Sequence, residues 1–234
     1  MIPLRDDAPR FTTPYLTYFL LAMNVAAFLY ELFLEPRSRS AFLFEFGVVP
    51  THITGLLRGA EHVNAQVALV PMFTSMFLHA SWLHLLSNMM ALWIFGDNVE
   101  DHLGRFRFLL LYLGSGVAAS LLHTAFNATS AVPSVGASGA IAGVMGAYFL
   151  LFPAARVLTL VPLFFIFFVW LPAWVVLGYW FVVQFLSGAA TKIAPSQGAG
   201  GGIAFWAHVG GFLAGVTAVK LMPARPPRYR YRGW

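Results

Sequence analysis

Apolar runs of about 18 or more residues recur along this chain, and a run of that length can cross a lipid bilayer as a helix. Hydrophobic residues make up 59% of the sequence and charged residues 10%, against about 25% charged residues in an ordinary soluble domain. The runs leave no room for a separate soluble domain. We therefore expect an all-α integral membrane protein with a single membrane domain over residues 13–221.

The runs predict six transmembrane helices. Their expected ranges are 13–33, 82–98, 106–123, 138–152, 164–186 and 203–221. The first is interpreted as a transmembrane helix rather than a signal peptide, because no small-residue cleavage site follows it. If both ends of the chain lie on one side, that side carries ten of the fourteen Lys and Arg residues, so both termini are expected to be cytoplasmic.

Four segments lie outside these helices. Residues 1–12 and 222–234 are expected to be cytoplasmic tails, the second of them basic. Residues 36–81 form an outer loop that is too long for a simple connection, and its apolar stretches favour contact with the outer leaflet. Residues 187–202 are rich in glycine, which is typical both of a mobile cap over the outer face and of a slack linker.

The fourth predicted helix is shorter than the others. Its 15 residues extend about 22 Å at about 1.5 Å per residue, against a hydrocarbon core of about 30 Å. Its first residue, Ser138, should therefore lie below the outer surface of the membrane. The preceding segment, 131–137, must then dip into the membrane, which is tolerated where backbone is buried in protein or faces a water-filled cavity. This predicts a cavity that opens outward.

Polar residues begin each of the helices that enter from the outer face. His84 and Asn88 lie in the second, Ser138 starts the fourth and His208 lies near the start of the sixth. Polar groups are costly inside a bilayer, and they usually mark either a functional site or a hydrogen bond between helices. Position alone leaves both interpretations open.

Ser138 stands between Gly136 and Gly139 where a loop becomes a helix. Such a junction can expose a serine hydroxyl and offer free N–H groups to an oxyanion, although glycine-flanked serines are also common in packed membrane helices. After His208, the residues Gly211 and Gly215 form a GxxxG face, which permits close approach of another helix. Close approach could bring Ser138 and His208 within hydrogen-bond reach, which is the pairing that activates a serine nucleophile.

His84 and Asn88 are four residues apart and therefore lie on one face of their helix. They could donate to an oxyanion together with the backbone N–H of Ser138. Metal binding by His84 and His208 is the competing interpretation, but their spacing matches no zinc pattern and the chain has no cysteine. We expect no metal and no other cofactor.

All nine acidic residues lie at or before Asp101, in predicted tails, loops or helix ends. A carboxylate is costly to keep ionised at membrane depth. The chemistry is therefore expected to use a Ser–His dyad without an acidic third member.

Four motifs together resemble those of the rhomboid proteases. They are HLLSN at 84–88, GDNVEDHLG at 96–104, GASG at 136–139 and AHVGGFLAG at 207–215. The resemblance covers about residues 70–221, and the motifs occur in the matching order. It implies a six-transmembrane-helix rhomboid fold and an intramembrane serine endopeptidase that cleaves single-span membrane proteins at or near their transmembrane helices.

By matched position, the resemblance implies that Ser138 is the nucleophile and His208 the general base. His84 and Asn88 would be oxyanion donors, and Glu100 with the glycines around it would be structural, as the anchor of a loop.

His79 matches a polar position near the active-site cavity. Some members carry an aromatic residue four positions after the serine, which stacks on the histidine, and here that position is Ala142. The sequence therefore leaves open what orients His208.

Two other functions are alternatives to proteolysis. A non-catalytic rhomboid-like binder should have lost the serine or the histidine, and a small transporter should show repeated halves and a coupling carboxylate in the membrane.

The expected partners are transmembrane protein substrates and the lipid bilayer. Nucleic acid is not expected, since no basic stripe interleaved with aromatics occurs. A plasma membrane is the default location.

Overall fold

The computed structural model describes residues 1–61, 63–162, 166–193 and 204–222. The fold is mostly helical, with a small sheet. Its elements, in chain order, are β1 (Ile2–Asp6), α1 (Tyr15–Phe33), α2 (Pro36–Phe46), α3 (Pro50–Leu57), α4 (Ala65–Leu69), α5 (Pro71–Thr74), a 3₁₀ turn (Ser75–Phe77), α6 (Trp82–Leu103), α7 (Arg105–Phe126), α8 (Ser138–Leu151), β2 (Arg156–Pro162), β3 (Ile166–Pro172), α9 (Ala173–Ile193) and α10 (Phe205–Leu221).

A helix overlaps each of the six predicted transmembrane ranges, namely α1, α6, α7, α8, α9 and α10. By length and apolar composition, α1, α7 and α9 could each cross a membrane. The segment from α4 to the 3₁₀ turn and α6 together could form a fourth crossing, bent by 79°. The two remaining helices, α8 and α10, are apolar but shorter. The presence of the helices is confirmed, and the number of crossings stays a prediction.

The centre of the bundle is α8. Every residue from Gly139 to Tyr148 is buried, and the helix packs against α6, α7 and α10. A helix that is surrounded on all sides needs no polar face, which agrees with a sequence here of small and apolar residues. Its 14 residues extend about 21 Å, so Ser138 begins a short, central helix as the sequence predicts.

The prediction of the fifth transmembrane helix is wrong over the first part of its range. Ile166–Pro172 is strand β3, which pairs antiparallel with β2, and the helix begins only at Ala173. The segment is a run of aromatic and β-branched residues, which favour strands, whereas hydropathy alone does not distinguish a buried strand from a helix. Residue 164, where the prediction began, lies outside the described residues.

The expected N-terminal tail contributes a third strand to this sheet. β1 pairs antiparallel with β2, and the side chain of Asp6 accepts a hydrogen bond from the hydroxyl of Tyr148 in α8. Burial raises the pKa of Asp6 to about 6. The first residues of the chain are therefore joined to the bundle rather than free of it.

Two of the predicted loops are partly helical. Residues 36–81 contain α2 to α5 and the 3₁₀ turn, so this loop is a folded layer. In the predicted cap at 187–202, helix α9 continues through Ile193, and the rest of that segment lies outside the described residues. Of the predicted basic tail at 222–234, the structure describes only residue 222.

The predicted orientation can be tested with single cysteines, because the chain has none of its own. Ser38 lies exposed in α2, and Ala154 lies exposed between α8 and β2, so either can become cysteine with little change in volume. In spheroplasts of a bacterial expression host, an impermeant maleimide should label Ser38→Cys directly and Ala154→Cys only after permeabilisation. The reverse pattern would contradict cytoplasmic termini, and the cysteine-free parent is the control.

Candidate active site

Ser138 is the first residue of α8, and the backbone before it is held in place by hydrogen bonds. The N–H of Gly136 donates to the carbonyl of Ser75 over 2.9 Å, and Ser134 pairs with Val48 in an isolated β-bridge. No side chain caps α8, so its first-turn N–H groups have no capping partner to compete with a bound oxyanion.

Position 136 requires a glycine, both because of its backbone conformation and because of the side chains around it. Its φ of +131° is strained for any residue with a side chain, and a Cβ there would lie 2.6 Å from the imidazole of His84. The same Cβ position is 3.6 Å from the hydroxyl oxygen of Ser138. The ring of His84 and the hydroxyl of Ser138 thus lie against the same glycine.

Glycines also bring α8 and α10 into backbone contact. A Cβ added at Gly211 would run into the carbonyl oxygen of Gly139, and one added at Gly215 would run into that of Gly143. The predicted small-residue faces of the two helices therefore meet each other.

The same contact lies beside both predicted members of the dyad. A Cβ at Gly139 would lie 3.8 Å from the carbonyl oxygen of Ala207. Ser138 directly precedes Gly139, and His208 directly follows Ala207. The first turns of α8 and α10 thus carry Ser138 and His208 next to two residues, Gly139 and Ala207, that lie close together.

His79, His84 and Asn88 form a cluster at the start of α6. The side-chain nitrogen of Asn88 lies 3.0 Å from Nε2 of His79, and the ring centroids of His79 and His84 are 5.1 Å apart in an edge-to-face arrangement. His79 is fully buried, and Asn88 is nearly so. The structure brings together the three polar residues that the sequence placed near a cavity.

An ion pair with a buried carboxylate, which the sequence does not predict, supports this cluster. Glu31 of α1 is fully buried, its carboxylate accepts from the backbone N–H of His79 over 3.0 Å, and it lies 3.5 Å from the guanidinium of Arg39. Arg39 in turn donates to the carbonyls of His79 and Ala80, both over 3.2 Å. The sequence signal was an acidic residue near the end of an apolar helix, with an arginine eight positions later.

His208 is held by two residues of α9. Its Nδ1 lies 2.7 Å from Oε1 of Gln184, and its ring lies 5.6 Å from that of Trp180, with 35° between the planes. The sequence does not predict these contacts, and its signal was a tryptophan and a glutamine four residues apart in an apolar run. The interactions described for His208 include no carboxylate.

Glu100 lies toward the other end of α6 and far along that helix from His84. Its carboxylate accepts from the backbone N–H groups of Leu16 and Thr17 over 3.0 and 2.7 Å, and from the hydroxyl of Thr17 over 2.8 Å. The prediction that Glu100 anchors a loop is therefore corrected. Glu100 caps the first turn of α1, whose own N-cap residue, Pro14, supplies no side-chain hydrogen bond.

A cavity of about 30 Å³ adjoins Ser138. Gly136, Ser120, His123 and Ser134 are among its lining residues, and the volume is enough for water. Within the described parts of the chain, no group of three or more His, Cys, Asp or Glu side chains is arranged to hold a metal ion.

Comparison with known proteins identifies relatives for most of the chain. The family model described as Rhomboid domain matches residues 66–225, more than half of the sequence. Rhomboid protein 1, mitochondrial, of Saccharomyces cerevisiae is 33% identical over 206 residues, which cover 86% of this chain and 51% of the yeast protein. Presenilin-associated rhomboid-like protein A, mitochondrial, of Danio rerio is 35% identical over 63% of this chain and 36% of its own length.

Rhomboid protease GluP of Bacillus subtilis is 34% identical over 57% of this chain and 24% of its own length. The chain thus spans about half or less of the length of these relatives. Two of the three are named as mitochondrial, so the expected plasma-membrane location finds no support here.

The backbone contact between α8 and α10 can be tested with a matched pair of glycine substitutions. Gly211→Ala should lower the melting temperature in detergent by several degrees, because overpacking commonly costs about 1–3 kcal/mol. Gly114→Ala in α7 is the control, since a Cβ at Gly114 would meet nothing within 4 Å. It should leave the melting temperature unchanged or raise it slightly. Equal melting temperatures for the two variants would show that the contact does not hold the helices.

Proposed function

The chain belongs to the rhomboid family, and from this premise we propose that it is an intramembrane serine endopeptidase. It cleaves single-span membrane proteins at or near their transmembrane helices, with Ser138 as nucleophile and His208 as general base. The observation that carries the proposal is the glycine contact between α8 and α10, in which Gly139 directly follows Ser138 and Gly211 lies one helical turn after His208.

In the proposed reaction, Nε2 of His208 takes the proton of the Ser138 hydroxyl as the oxygen attacks the scissile carbonyl carbon. The carbonyl oxygen becomes an oxyanion. The backbone N–H of Ser138, the ring of His84 and the amide of Asn88 donate hydrogen bonds to it. His208 then gives its proton to the leaving amine, and an acyl-enzyme forms on Ser138.

Water completes the cycle. His208 takes a proton from a water molecule that attacks the ester carbonyl, and it returns that proton to the oxygen of Ser138 as the new carboxyl group leaves. The cavity beside Ser138 supports this step, because it has room for water close to the ester carbon.

The cluster around His79 supports the proposed oxyanion site. Asn88 has two amide hydrogens, and one hydrogen bond to Nε2 of His79 leaves the other for substrate. The backbone of His79 is fixed on one side by Glu31 and on the other by Arg39. Donors that are already held in place need no reorganisation when charge develops, which is the basis of their effect on rate.

The dyad is tested by removing each member. Ser138→Ala and His208→Ala should each lower cleavage of a generic single-span substrate by at least about a thousandfold in detergent, because removing one member disables the unit. A fluorophosphonate should label Ser138 and no other serine. Ser40→Ala and His52→Ala are matched controls outside the site, and they should keep wild-type activity. Cleavage by a folded Ser138→Ala or His208→Ala variant would contradict the assignment.

No carboxylate is expected to take part in catalysis. Loss of the aspartate from a serine protease triad can cost about 10⁴ in kcat, whereas each of the nine acidic residues here should be replaceable by its amide within about tenfold. Glu31→Gln is the sharpest case, because it breaks the buried pair with Arg39 and should lower the melting temperature. The exposed Glu35→Gln is its control. A folded Glu31→Gln protein that has lost a thousandfold in kcat would reveal a third catalytic member.

A further inference from the structure

We propose that Gln184 is the positioning residue for His208, and that its side-chain carbonyl takes the place of the carboxylate of a triad. The inference rests on the proposed serine-protease function. It starts from the 2.7 Å separation between Oε1 of Gln184 and Nδ1 of His208. That distance is at the short end of the range for N–H···O hydrogen bonds.

The hydrogen bond selects one tautomer of the imidazole. An amide oxygen can only accept, so Nδ1 of His208 must carry the hydrogen, and Nε2 is then left with its lone pair. A general base for Ser138 needs this tautomer. The wrong tautomer accounts for the loss of about 10⁴ in kcat when a triad aspartate becomes asparagine. An uncharged acceptor oxygen beside Nδ1 is therefore enough to select the tautomer that a general base needs.

Trp180 and Gln184 both restrain the imidazole of His208, Trp180 by a ring contact and Gln184 by a hydrogen bond to Nδ1. The two residues are four apart in α9, so both project from one side of that helix. The ring of Trp180 lies 5.6 Å from that of His208. One helix thus fixes both the rotation and the tilt of the imidazole.

The same geometry explains why no aromatic residue stands at position 142. Ala142 is fully buried, and a Cβ added at Gly211 of α10 would lie 3.3 Å from the Cβ of Ala142. A large ring at 142 would push α10 away from α8. With α8 and α10 in backbone contact, the aromatic ring beside His208 comes from α9.

The charge around His208 also favours a neutral partner. The titratable groups near the ring are His84 of α6 and His123 of α7, and α9 contributes the uncharged Gln184 and Trp180. No acidic residue follows Asp101 in the chain. A carboxylate at membrane depth would be costly to keep ionised, whereas an amide carries no such cost.

The test uses the whole 234-residue chain in detergent and follows kcat, KM and kcat/KM from pH 5 to pH 9. Gln184→Leu should lower kcat about a hundredfold with little change in KM, because the tautomer matters in the reaction and not in substrate binding. Thr191→Val is the matched control: Thr191 is a polar residue of the same helix whose hydroxyl donates to the carbonyl of Gly188 over 2.7 Å. It should keep wild-type kcat.

Gln184→Glu separates positioning from simple helix packing. It restores an acceptor oxygen, so kcat at pH 9 should stay within about tenfold of wild type. Its carboxylate stabilises the imidazolium, so the protonated and inactive form of His208 persists to higher pH. The acid limb of the pH–rate profile should therefore move to higher pH by about one unit or more.

The outcomes are distinct. Gln184→Leu with wild-type kcat, or Gln184→Glu with an unmoved acid limb, would overturn the positioning role while the wild-type protein still cleaves substrate. If wild-type protein neither cleaves nor reacts with a fluorophosphonate at Ser138, the protease proposal itself fails. If Gln184→Leu does not fold, the pH profile of Gln184→Glu decides the question alone.

Discussion

The backbone contact between α8 and α10 is the constraint on which the arrangement of this protein depends. In a bilayer, apolar side chains gain little by leaving lipid, so helices associate through close van der Waals packing. Gly139 and Gly143 of α8 meet Gly211 and Gly215 of α10 without side chains between them. That packing brings together the first turns of the two helices, which carry the candidate nucleophile and base.

Two buried carboxylates tie α1 to α6 at opposite ends. Glu100, from the last turn of α6, caps the start of α1, and Glu31, from the last turns of α1, holds the backbone just before α6. Glu100 accepts from two backbone N–H groups and a hydroxyl, whereas Glu31 accepts from one backbone N–H and lies 3.5 Å from the guanidinium of Arg39. Hydrogen bonds and a nearby opposite charge offset the cost of burying these carboxylates. These two acids therefore serve the scaffold around the site.

The sequence predicts what depends on local pattern and misses what depends on contact. The helices, the short α8 and the polar residues His84, Ser138 and His208 follow from hydropathy and spacing. The partners of Glu31 and His208 do not, because Arg39 and Gln184 reach them through the fold. Strand β3 was missed for another reason: a continuous apolar run has no periodicity that separates strand from helix.

Strand β3 also shows how the register of a strand can be set when its sequence does not alternate between apolar and polar residues. Its residues Ile166–Trp170 are all exposed to the surroundings of the protein, so both of its faces are apolar. A shift by one residue would replace one apolar face by another and would cost little. The alignment must therefore come from the neighbours. The N–H of Ala173 bonds to the carbonyl of Ala155 beside the paired ends, and Val157 is buried in β2 opposite Leu171. The contacts that set the alignment of the two strands are therefore at the end of the hairpin where β2 begins and β3 ends.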